Sequence, residues 1–258
     1  MSVDLTGRVY LVTGASRGFG LAIARCLLEG GARVGLVSRD RDALDAAAAE
    51  LDAGDDVFAV TADVGVRKAV AQAFTQTAAH FGRFDGVVNN AGMARPNRIE
   101  HLDEQEVLTQ INTNFLGTVF CCQAAIPLLR GGDNPRIVNI SSASAWHYDE
   151  IVHLSIYAAT KAAVERFTRD LRLELQPDNI GVTCVRPGGA FTSFADEWAP
   201  ERFSAAIEGW KEVGTYMDMG MEAAHVGEAV RYAIAQPAGV AVDLLEVRPN
   251  RLTPKSIF

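Results

Sequence analysis

Short apolar segments alternate with longer amphipathic segments along most of the chain, and this alternation limits the possible folds. The apolar segments are rich in β-branched residues, which is typical of buried strands, and the others carry apolar residues at helical spacing. Strands are predicted at Val9–Val12, Arg33–Val37, Val57–Val60, Gly86–Asn89, Arg136–Ile140, Gly181–Val185 and Val240–Val247. Helices are predicted near Leu21–Leu28, Asp40–Leu51, Val66–Phe81, Glu104–Leu129, Tyr157–Gln176 and Ala223–Gln236. Repeated strand–helix–strand units form right-handed crossovers, so we predict an α/β fold with a doubly wound parallel sheet and helices on both faces.

The sequence carries no sign of a second domain, so residues 1–258 are predicted to form one dinucleotide-binding and catalytic domain. The formal net charge of −8 argues against a nucleic-acid or anionic-membrane partner. The longest apolar stretch, Val119–Leu129, contains Gln123 and Pro127 and is too short to span a membrane. The chain starts without a signal-peptide pattern, and its four cysteines lack metal-ligand spacing. We therefore expect a cytoplasmic protein with free thiols and no metal.

A glycine-rich turn, TGASRGFG, joins the first strand to the first helix. Gly14 allows the tight turn, Gly18 lets the backbone approach a pyrophosphate, and Gly20 lets the helix pack closely on the strand. The N-terminus of the helix adds unpaired N–H groups and a positive dipole end. This pattern predicts a Rossmann-like nucleotide-binding fold. The turn residues expected to contact the cofactor are Gly14, Ser16, Arg17, Gly18, Phe19 and Gly20.

The end of the second strand indicates which dinucleotide binds. A carboxylate there accepts hydrogen bonds from the ribose 2′-hydroxyl and repels a 2′-phosphate, whereas an arginine attracts the phosphate. The strand ends in Ser38 and Arg39, and Arg17 supplies a second cation from the glycine turn. We therefore predict NADP(H) as the cofactor. Asp40 follows directly and is interpreted as the N-cap of the next helix.

A tyrosine and a lysine lie four positions apart near the start of a predicted helix. Tyr157 and Lys161 share one helix face at this spacing, and a lysine cation beside a phenol favours the phenolate. Tyr157 is therefore a candidate proton donor near neutral pH, with its pKa lowered by Lys161. Ser142, at the end of the preceding strand, could hydrogen-bond the same substrate oxygen.

The motifs occur in a characteristic order along the chain. They are TGASRGFG, Asp63-Val64, Asn89-Asn90-Ala91-Gly92, Asn114, Ser142, Tyr157-x-x-x-Lys161 and Pro187-Gly188-x-x-x-Thr192. Together they resemble the short-chain dehydrogenase/reductase family, NADP(H)-preferring type, over roughly residues 6–192. The resemblance implies an oxidoreductase that interconverts a ketone or aldehyde and an alcohol by hydride transfer to or from NADP(H).

The resemblance also assigns roles to individual residues. Tyr157 would be the acid/base, Ser142 would orient the carbonyl, and Lys161 would lower the tyrosine pKa and bind the nicotinamide ribose. Asn114, chosen over Asn112, would hold a proton relay to Lys161. The implied cofactor contacts are Asp63 and Val64 at the adenine, Asn90, Ala91 and Gly92 near the adenine ribose, and Pro187, Gly188 and Thr192 toward the nicotinamide. For Asn89 and Asn90, a role in the sheet and a role in binding both stay open.

Two departures from the family pattern are visible. The distance from Ser142 to Tyr157 is about two residues longer than usual, so Ser144 stays an alternative to Ser142, and the loop Trp146–Glu150 would border the substrate. His147 and His153 are interpreted as polar loop residues rather than metal ligands. The second departure is the C-terminal segment, where Val240–Val247 and Arg248-Pro249 replace a glycine-rich end.

The segment at about 190–222 corresponds to the variable substrate lid of the family. Pro200 suits a first helical turn, and the apolar residues that follow it at helical spacing are Phe203, Ala206, Ile207 and Trp210. Further apolar side chains in this segment are Phe194, Trp198, Tyr216, Met217, Met219 and Met221. As a lid, this face would suit an apolar or aromatic carbonyl compound; it could equally pack on the body or on another subunit.

The family resemblance leaves assembly and chemistry partly open. The helices Glu104–Leu129 and Tyr157–Gln176 resemble the pair that builds oligomers in this family, so a homodimer or homotetramer is expected. Two other functions remain as alternatives: a nucleotide-binding regulator without activity, and an epimerase or dehydratase that uses the cofactor transiently.

Overall fold

The computed structural model describes residues 4–147, 152–190, 192–218 and 220–257. The strands are β1 Val9–Thr13, β2 Arg33–Ser38, β3 Val57–Thr61, β4 Gly86–Asn89, β5 Arg136–Ile140, β6 Gly181–Pro187, β7 Tyr216–Met217, β8 Leu244–Val247 and β9 Thr253–Pro254. The helices are α1 Gly18–Glu29, α2 Arg41–Leu51, α3 Arg67–Phe81, α4 Glu104–Ile111, α5 Gly117–Leu129, α6 Ser155–Glu174, α7 Pro200–Glu212 and α8 Ala223–Ile234.

Seven of these strands form one parallel sheet in the order β3-β2-β1-β4-β5-β6-β8. The strand order reverses between β1 and β4, which creates a crevice at the carboxyl ends of the strands, where doubly wound sheets bind ligands. Helices cover both faces of the sheet. The predicted α/β fold of Rossmann-like type is confirmed.

The sheet has a separate apolar core on each face. On one face, α1 and α8 pack against each other, and buried side chains such as Ile23 and Val230 belong to this core. On the other face, α3, α5 and α6 contribute Phe74, Leu129 and Leu171. Because parallel strands are buried on both sides, β1 and β4 consist of fully buried residues.

The long helix predicted over Glu104–Leu129 is interrupted. A π turn at Asn112–Leu116 separates α4 from α5. Gly117 follows it and faces Val64, whose side chain would lie 2.7 Å from a Cβ at that position. A π turn accommodates one extra residue within a helix, and such turns are frequent at functional sites. The apolar periodicity of the sequence continues through the turn, so it could not show the interruption.

Of three other predictions, one is corrected, one is confirmed, and one concerns residues outside the described part of the chain. The last strand of the sheet begins at Leu244 rather than at Val240. Asp40 is the N-cap of α2, as predicted, because its carboxylate accepts a hydrogen bond from the Ala43 N–H at 3.1 Å. The loop residues 148–150 and Met219, which the sequence placed near the substrate, lie outside the described residues.

The residues between 190 and 222 that the structure describes are called the lid. A β-bridge joins its two ends, Ala190 and Met221, so the lid leaves the body and returns to it at the same place. The C-terminal segment holds it from outside: β9 pairs with β7, and the Lys255 ammonium donates to the Trp210 carbonyl at the end of α7 at 2.6 Å. The same carbonyl also accepts from the Val213 N–H at 3.3 Å, so Lys255 adds a second hydrogen bond at this helix end. Among the described residues, no helix is long and apolar enough to cross a membrane.

Candidate active site

A cavity of about 460 Å³ lies at the carboxyl ends of the strands, beneath the lid. Its walls include the glycine turn after β1, the ends of β2, β4 and β5, the start of α6, and the lid. The position is the one where the strand order reverses. A cavity of this size, with apolar walls and a few convergent polar groups, is typical of a small-molecule site.

Most of the predicted site residues line this cavity. They are Gly14, Ser16, Arg17, Gly18, Phe19, Ser38, Arg39, Val64, Asn90, Ala91, Gly92, Ser142, Tyr157, Lys161, Pro187, Gly188 and Thr192. Gly20, Asp63 and Asn114 lie behind the lining. The cavity therefore brings together residues that are spread from position 14 to position 192 of the chain.

The glycine turn is closely packed, and its backbone is left-handed at two of its glycines. Gly14 has a φ of +64° and Gly18 a φ of +56°, a region that other residues rarely adopt. A Cβ at Gly14 would lie 2.9 Å from the Ala91 Cα, and a Cβ at Gly20 would overlap the Gly14 carbonyl oxygen. The turn thus presents bare backbone to the cavity, and Gly20 contributes by packing rather than by contact.

Two further polar contacts shape the end of the cavity next to β2 and β3. The hydroxyl oxygens of Ser16 and Ser38 lie 3.1 Å apart and join the glycine turn to the end of β2. Arg39 is exposed beside them, and no ion pair of Arg39 is found within the described part of the chain. The Asp63 carboxylate accepts a hydrogen bond from the Gly65 N–H at 2.8 Å, so it shapes the turn that carries Val64 into the lining.

The hydroxyl groups of two serines lie side by side opposite the tyrosine. Ser142 begins a short 3-10 turn, Ala143–Ala145, and its Oγ accepts hydrogen bonds from the N–H and the hydroxyl of Ser144 at 3.2 and 2.9 Å. The Ser142 hydroxyl also lies close enough to the Tyr157 side chain to lower the tyrosine pKa. Of the two serines that the sequence left open, Ser142 is the one that acts on the tyrosine pKa, and Ser144 hydrogen-bonds to it.

Lys161 is buried next to the tyrosine and bonded to the sheet. Its Nζ donates to the Ile140 carbonyl at 2.8 Å and lies 5.8 Å from the centre of the Tyr157 ring. Burial lowers the pKa of Lys161 to about 8. A Cβ on Gly92 would lie 3.2 Å from the Nζ, so the absence of a side chain at Gly92 leaves room for the ammonium group.

The pKa of Tyr157 differs from the sequence-based expectation. Burial raises it, and the hydrogen bond with Ser142 offsets only part of that effect. Removal of a phenolate from water is unfavourable, and this penalty is larger than the stabilisation of the charged form. A raised pKa favours the neutral phenol, which is the form that can donate a proton.

Asn114 holds the backbone beside the lysine from within the π turn. Its side-chain carbonyl accepts from the Met93 N–H at 2.8 Å, and its amide donates to the Met93 carbonyl at 2.9 Å and to the Thr160 hydroxyl at 3.0 Å. Asn114 is fully buried, whereas Asn112 is exposed. The choice of Asn114 over Asn112 thus agrees with the geometry, because Asn114 links the loop after β4 to α6.

A network of charged side chains lies beneath the end of β6 and was not predicted from the sequence. Arg186 donates to Glu165 at 2.8 Å and to Glu246 at 2.8 Å. Glu165 also accepts from the Ser141 hydroxyl at 2.7 Å, and the His147 ring nitrogen lies 2.8 Å from Glu246. The network therefore fixes the loop that carries His147 into the cavity lining. Its members are remote in sequence, so no local motif could reveal them.

The lid closes the other end of the cavity with aromatic rings. The ring centres of Tyr157 and Phe194 are 5.4 Å apart, those of Phe194 and Trp198 6.0 Å, and those of Trp198 and Trp210 6.3 Å. Ala206, Ile207 and Trp210 on α7 are buried, whereas Phe203 is 40% exposed. The apolar face of α7 thus packs on the body and forms the cavity wall at the same time.

Two charged residues at the rim of the cavity, Glu197 and Arg95, were not predicted from the sequence. Glu197 on the lid forms ion pairs with Arg17 of the glycine turn and, at 3.4 Å, with Arg95 after β4. Burial alone would raise the pKa of Glu197, but the two arginines outweigh it and lower that pKa. A second rim pair joins Arg202 of α7 to Glu106 of α4.

A possible metal-binding group lies away from the cavity, at Cys26, Glu29 and Glu228. Burial raises the pKa of the Cys26 thiol to about 11, so it is protonated at neutral pH. The three residues lie where α1 packs against α8.

Comparison with known proteins identifies the family. The family model described as short chain dehydrogenase matches residues 8–202. The chain belongs to the short-chain dehydrogenase family. Among its relatives, an uncharacterised oxidoreductase of Staphylococcus aureus (strain MRSA252) is 33% identical over 245 residues, which cover 95% of this chain and 98% of the relative. This short-chain dehydrogenase is therefore an oxidoreductase, and the family predicted from its motifs is confirmed.

Solved structures resemble this short-chain dehydrogenase over nearly its full length. An alcohol dehydrogenase of the archaeon Thermococcus sibiricus, complexed with 5-hydroxy-NADP, has a TM-score of 0.78 and 30% identity, with 93% of this chain and 96% of that chain covered. A 3-ketoacyl-(acyl-carrier-protein) reductase of Brucella melitensis, complexed with NADH, has a TM-score of 0.81 and 27% identity, with 96% and 99% covered. These relatives bind nicotinamide cofactors, one of them a derivative of NADP and the other NADH.

Proposed function

We propose that this oxidoreductase interconverts a ketone or aldehyde and an alcohol with NADP(H) as its cofactor and Tyr157 as its acid/base. The observation that carries the proposal is the common cavity of Ser142, Tyr157 and Lys161, which also contains the bare glycine turn and two arginines. A single space thus offers a proton donor at one end and a phosphate site at the other.

The glycine turn fits a dinucleotide. A side chain at Gly14 would collide with the loop after β4, and Gly18, also left-handed, is the first residue of α1. The unpaired N–H groups at the start of a helix suit a pyrophosphate. Val64, Asn90 and Ala91 would border the adenosine, and Thr192 with Pro187 and Gly188 the nicotinamide end. When bound, the cofactor would supply or accept the hydride.

The polar side chains near the tyrosine would then transfer the proton and stabilise the groups that exchange it. The neutral Tyr157 phenol can donate its proton to a carbonyl oxygen, and Ser142 can donate a hydrogen bond to the same oxygen. Lys161, with a pKa of about 8, is mostly cationic at neutral pH and favours the phenolate that remains. Asn114 would act through the Met93 backbone and Thr160, as a positioning residue.

The preference for NADP(H) over NAD(H) is supported by charge. Arg39 lies at the end of β2 without a carboxylate in the position that would accept a ribose 2′-hydroxyl, since Asp40 is engaged as an N-cap. Arg17 stands nearby in the glycine turn. An arginine pair can bind a phosphate through several charge-assisted hydrogen bonds.

The substrate is proposed to be an apolar or aromatic carbonyl compound. Tyr157, Phe194, Trp198 and Trp210 form a continuous aromatic wall above the reacting groups. Flat apolar ligands gain from such walls through buried area and from ring stacking.

Assembly and location follow as further proposals. We propose that residues 1–258 form one domain and that two or four copies associate through α4, α5 and α6. Leu108, Leu128 and Leu173 on these helices are exposed, which is the composition expected of a contact surface. The four cysteines are free, which suits a reducing cytoplasm. Light scattering on the purified protein tests the assembly, and a monomer would refute it.

The reaction is tested by following the oxidation of NADPH and NADH in the presence of aldehydes, aryl ketones, diketones and steroid ketones. We expect faster oxidation of NADPH than of NADH with at least one of these compounds. Oxidation of neither cofactor, with both bound, would contradict the proposal and favour a regulator or a transient use of the cofactor. Product analysis would separate these two.

The cofactor preference is tested by Arg39→Ala. We expect the KM for NADPH to rise roughly ten-fold or more, and the KM for NADH to change by less than about two-fold, because only NADPH loses a charge-assisted bond. Equal changes for both cofactors would contradict the phosphate assignment. Arg41→Ala, on the exposed first turn of α2, is the matched control.

A further inference from the structure

The carboxylate of Glu197 bridges two arginines across the mouth of the cavity. One oxygen pairs with Arg17 of the glycine turn, and the other lies 3.4 Å from the Nη2 of Arg95. Arg17 and Glu197 are about half exposed, and Arg95 is more buried, with 27% of its side chain exposed. Glu197 belongs to the lid, whereas both arginines belong to the body.

Arg95 is held firmly enough to act as a second anchor. Its backbone N–H donates to the buried Gln110 side chain at 3.1 Å, and its own Nη1 donates to the Ala94 carbonyl at 3.1 Å. Among the described residues, the Arg17 guanidinium makes its polar contact with Glu197. A loss of the Arg17 pair would therefore leave Glu197 on Arg95.

Arg17 is also one of the two cations assigned to the 2′-phosphate. A guanidinium can bind a phosphate or a carboxylate, but two anions against one arginine repel each other at distances of about 4–6 Å. A cofactor that carries the 2′-phosphate must therefore displace Glu197 from Arg17, whereas a cofactor without that phosphate need not.

On the basis of the proposed preference for NADP(H), we propose that Glu197 is a specificity-determining residue. Its carboxylate competes with the 2′-phosphate for Arg17 and transfers fully to Arg95 when the phosphate binds. Glu197 precedes Trp198, whose ring forms the aromatic wall, so the transfer would link occupation of the phosphate site to the position of the substrate wall. Glu197 thus lowers the affinity for NADPH more than the affinity for NADH.

The test compares the dissociation constants of 2′,5′-ADP, 5′-AMP, NADPH and NADH for the wild type and Glu197→Gln, measured by calorimetry. Glutamine keeps the shape but removes the charge. We expect 2′,5′-ADP and NADPH to bind about two- to five-fold more tightly to Glu197→Gln, as is typical for the loss of a partly exposed ion pair, and 5′-AMP and NADH to bind as before. Glu201→Gln, an exposed change on the same lid, should leave all four values unchanged.

A double-mutant cycle with Arg17→Ala separates the possible outcomes. In the Arg17→Ala background, the substitution Glu197→Gln should no longer tighten 2′,5′-ADP binding. If the wild type prefers 2′,5′-ADP and NADPH but Glu197→Gln weakens them, leaves them unchanged, or tightens NADH equally, the competition is refuted and the NADP(H) preference stands. If the wild type binds 2′,5′-ADP no better than 5′-AMP, the preference itself is refuted, and the competition with it.

Discussion

The floor of the cavity and its lid are held by different kinds of interaction. Asn114 and Lys161 at the floor are buried and bonded to backbone groups of Met93 and Ile140. At the rim, the lid is tied to the body by the ion pairs of Glu197 and Arg202, whose side chains are 40% and 30% exposed, whereas α7 is held by its buried apolar face. Buried hydrogen bonds to the backbone are costly to break, whereas exposed ion pairs contribute little and are screened by salt.

This difference separates the residues that fix the geometry of the candidate site from those that control the access of ligands to it. The side chains proposed to react are fixed in place, while the contacts at Glu197 and Arg202 are expected to separate at a low cost in free energy. Enzymes with mobile lids commonly show this division. Changes at the floor should therefore affect turnover, and changes at the lid should affect the binding of ligands.

The largest effect is expected for Tyr157→Phe. Loss of the hydroxyl removes the proposed proton donor, so kcat should fall by roughly three to four orders of magnitude. The NADPH dissociation constant should change little, because the ring and its contact with Phe194 remain. Stopped-flow turnover and fluorescence titration of NADPH measure the two quantities. Activity within ten-fold of the wild type would exclude Tyr157 as the acid/base.

Asn114→Ala should have the next largest effect. The change leaves the Met93 N–H and carbonyl without their partner, and we expect kcat to fall about 100-fold and the free energy of unfolding to fall by about 2 kcal/mol. A shifted pH profile of kcat would indicate a role in positioning Lys161, which a loss of stability alone would not produce. Asn112→Ala, at the exposed neighbouring position, serves as the control.

Lys161 should make stability depend on pH. Its pKa is about 8 in the folded chain, and its ordinary value is 10.5. Between these two pH values the unfolded chain binds more protons than the folded chain, so the free energy of unfolding rises with pH. Compared with Lys161→Met, the wild type should gain on the order of 2 kcal/mol from about pH 7 to about pH 10. Urea unfolding at several pH values measures this gain, and parallel profiles would contradict it.

The smallest effect is expected at the rim pair of Arg202 and Glu106. Arg202→Met should raise the KM for the carbonyl substrate by about two- to five-fold at saturating NADPH and leave kcat within about two-fold. Added salt should raise this KM in the wild type but less in the variant, because the screened pair is already absent. A salt dependence that is the same in both proteins would show that the pair does not hold the lid.

The regular part of the fold could be read from the sequence, because strand and helix periodicities are local. The boundaries of β4 and β5 agree with the prediction, and the turn around Gly14 forms where glycine permits the left-handed backbone that the turn needs. The π turn at Asn112–Leu116 could not be predicted, because the apolar periodicity continues through it and the contact of Gly117 with Val64 joins residues remote in sequence. The β7–β9 pair was also absent from the prediction, because strands of two residues leave no periodicity.

The site could be predicted as a set of residues but not as an electrostatic environment. Spacing placed Tyr157 and Lys161 on one helix face, yet burial, which no spacing reveals, gives Tyr157 a raised pKa. Glu197 and Arg95 were missed because their partners are remote in sequence. The interpretation of α7 as either lid or packed helix had no single answer, since its apolar face serves both purposes.

The bond between Lys255 and the Trp210 carbonyl makes the lid helix depend on a segment far along the chain. The glycine turn has its close contacts with the loop after β4 and does not share this dependence. An affinity tag or a truncation near Lys255 is therefore expected to loosen α7 while the glycine turn keeps its packing, so the position of a tag matters for assays of this protein.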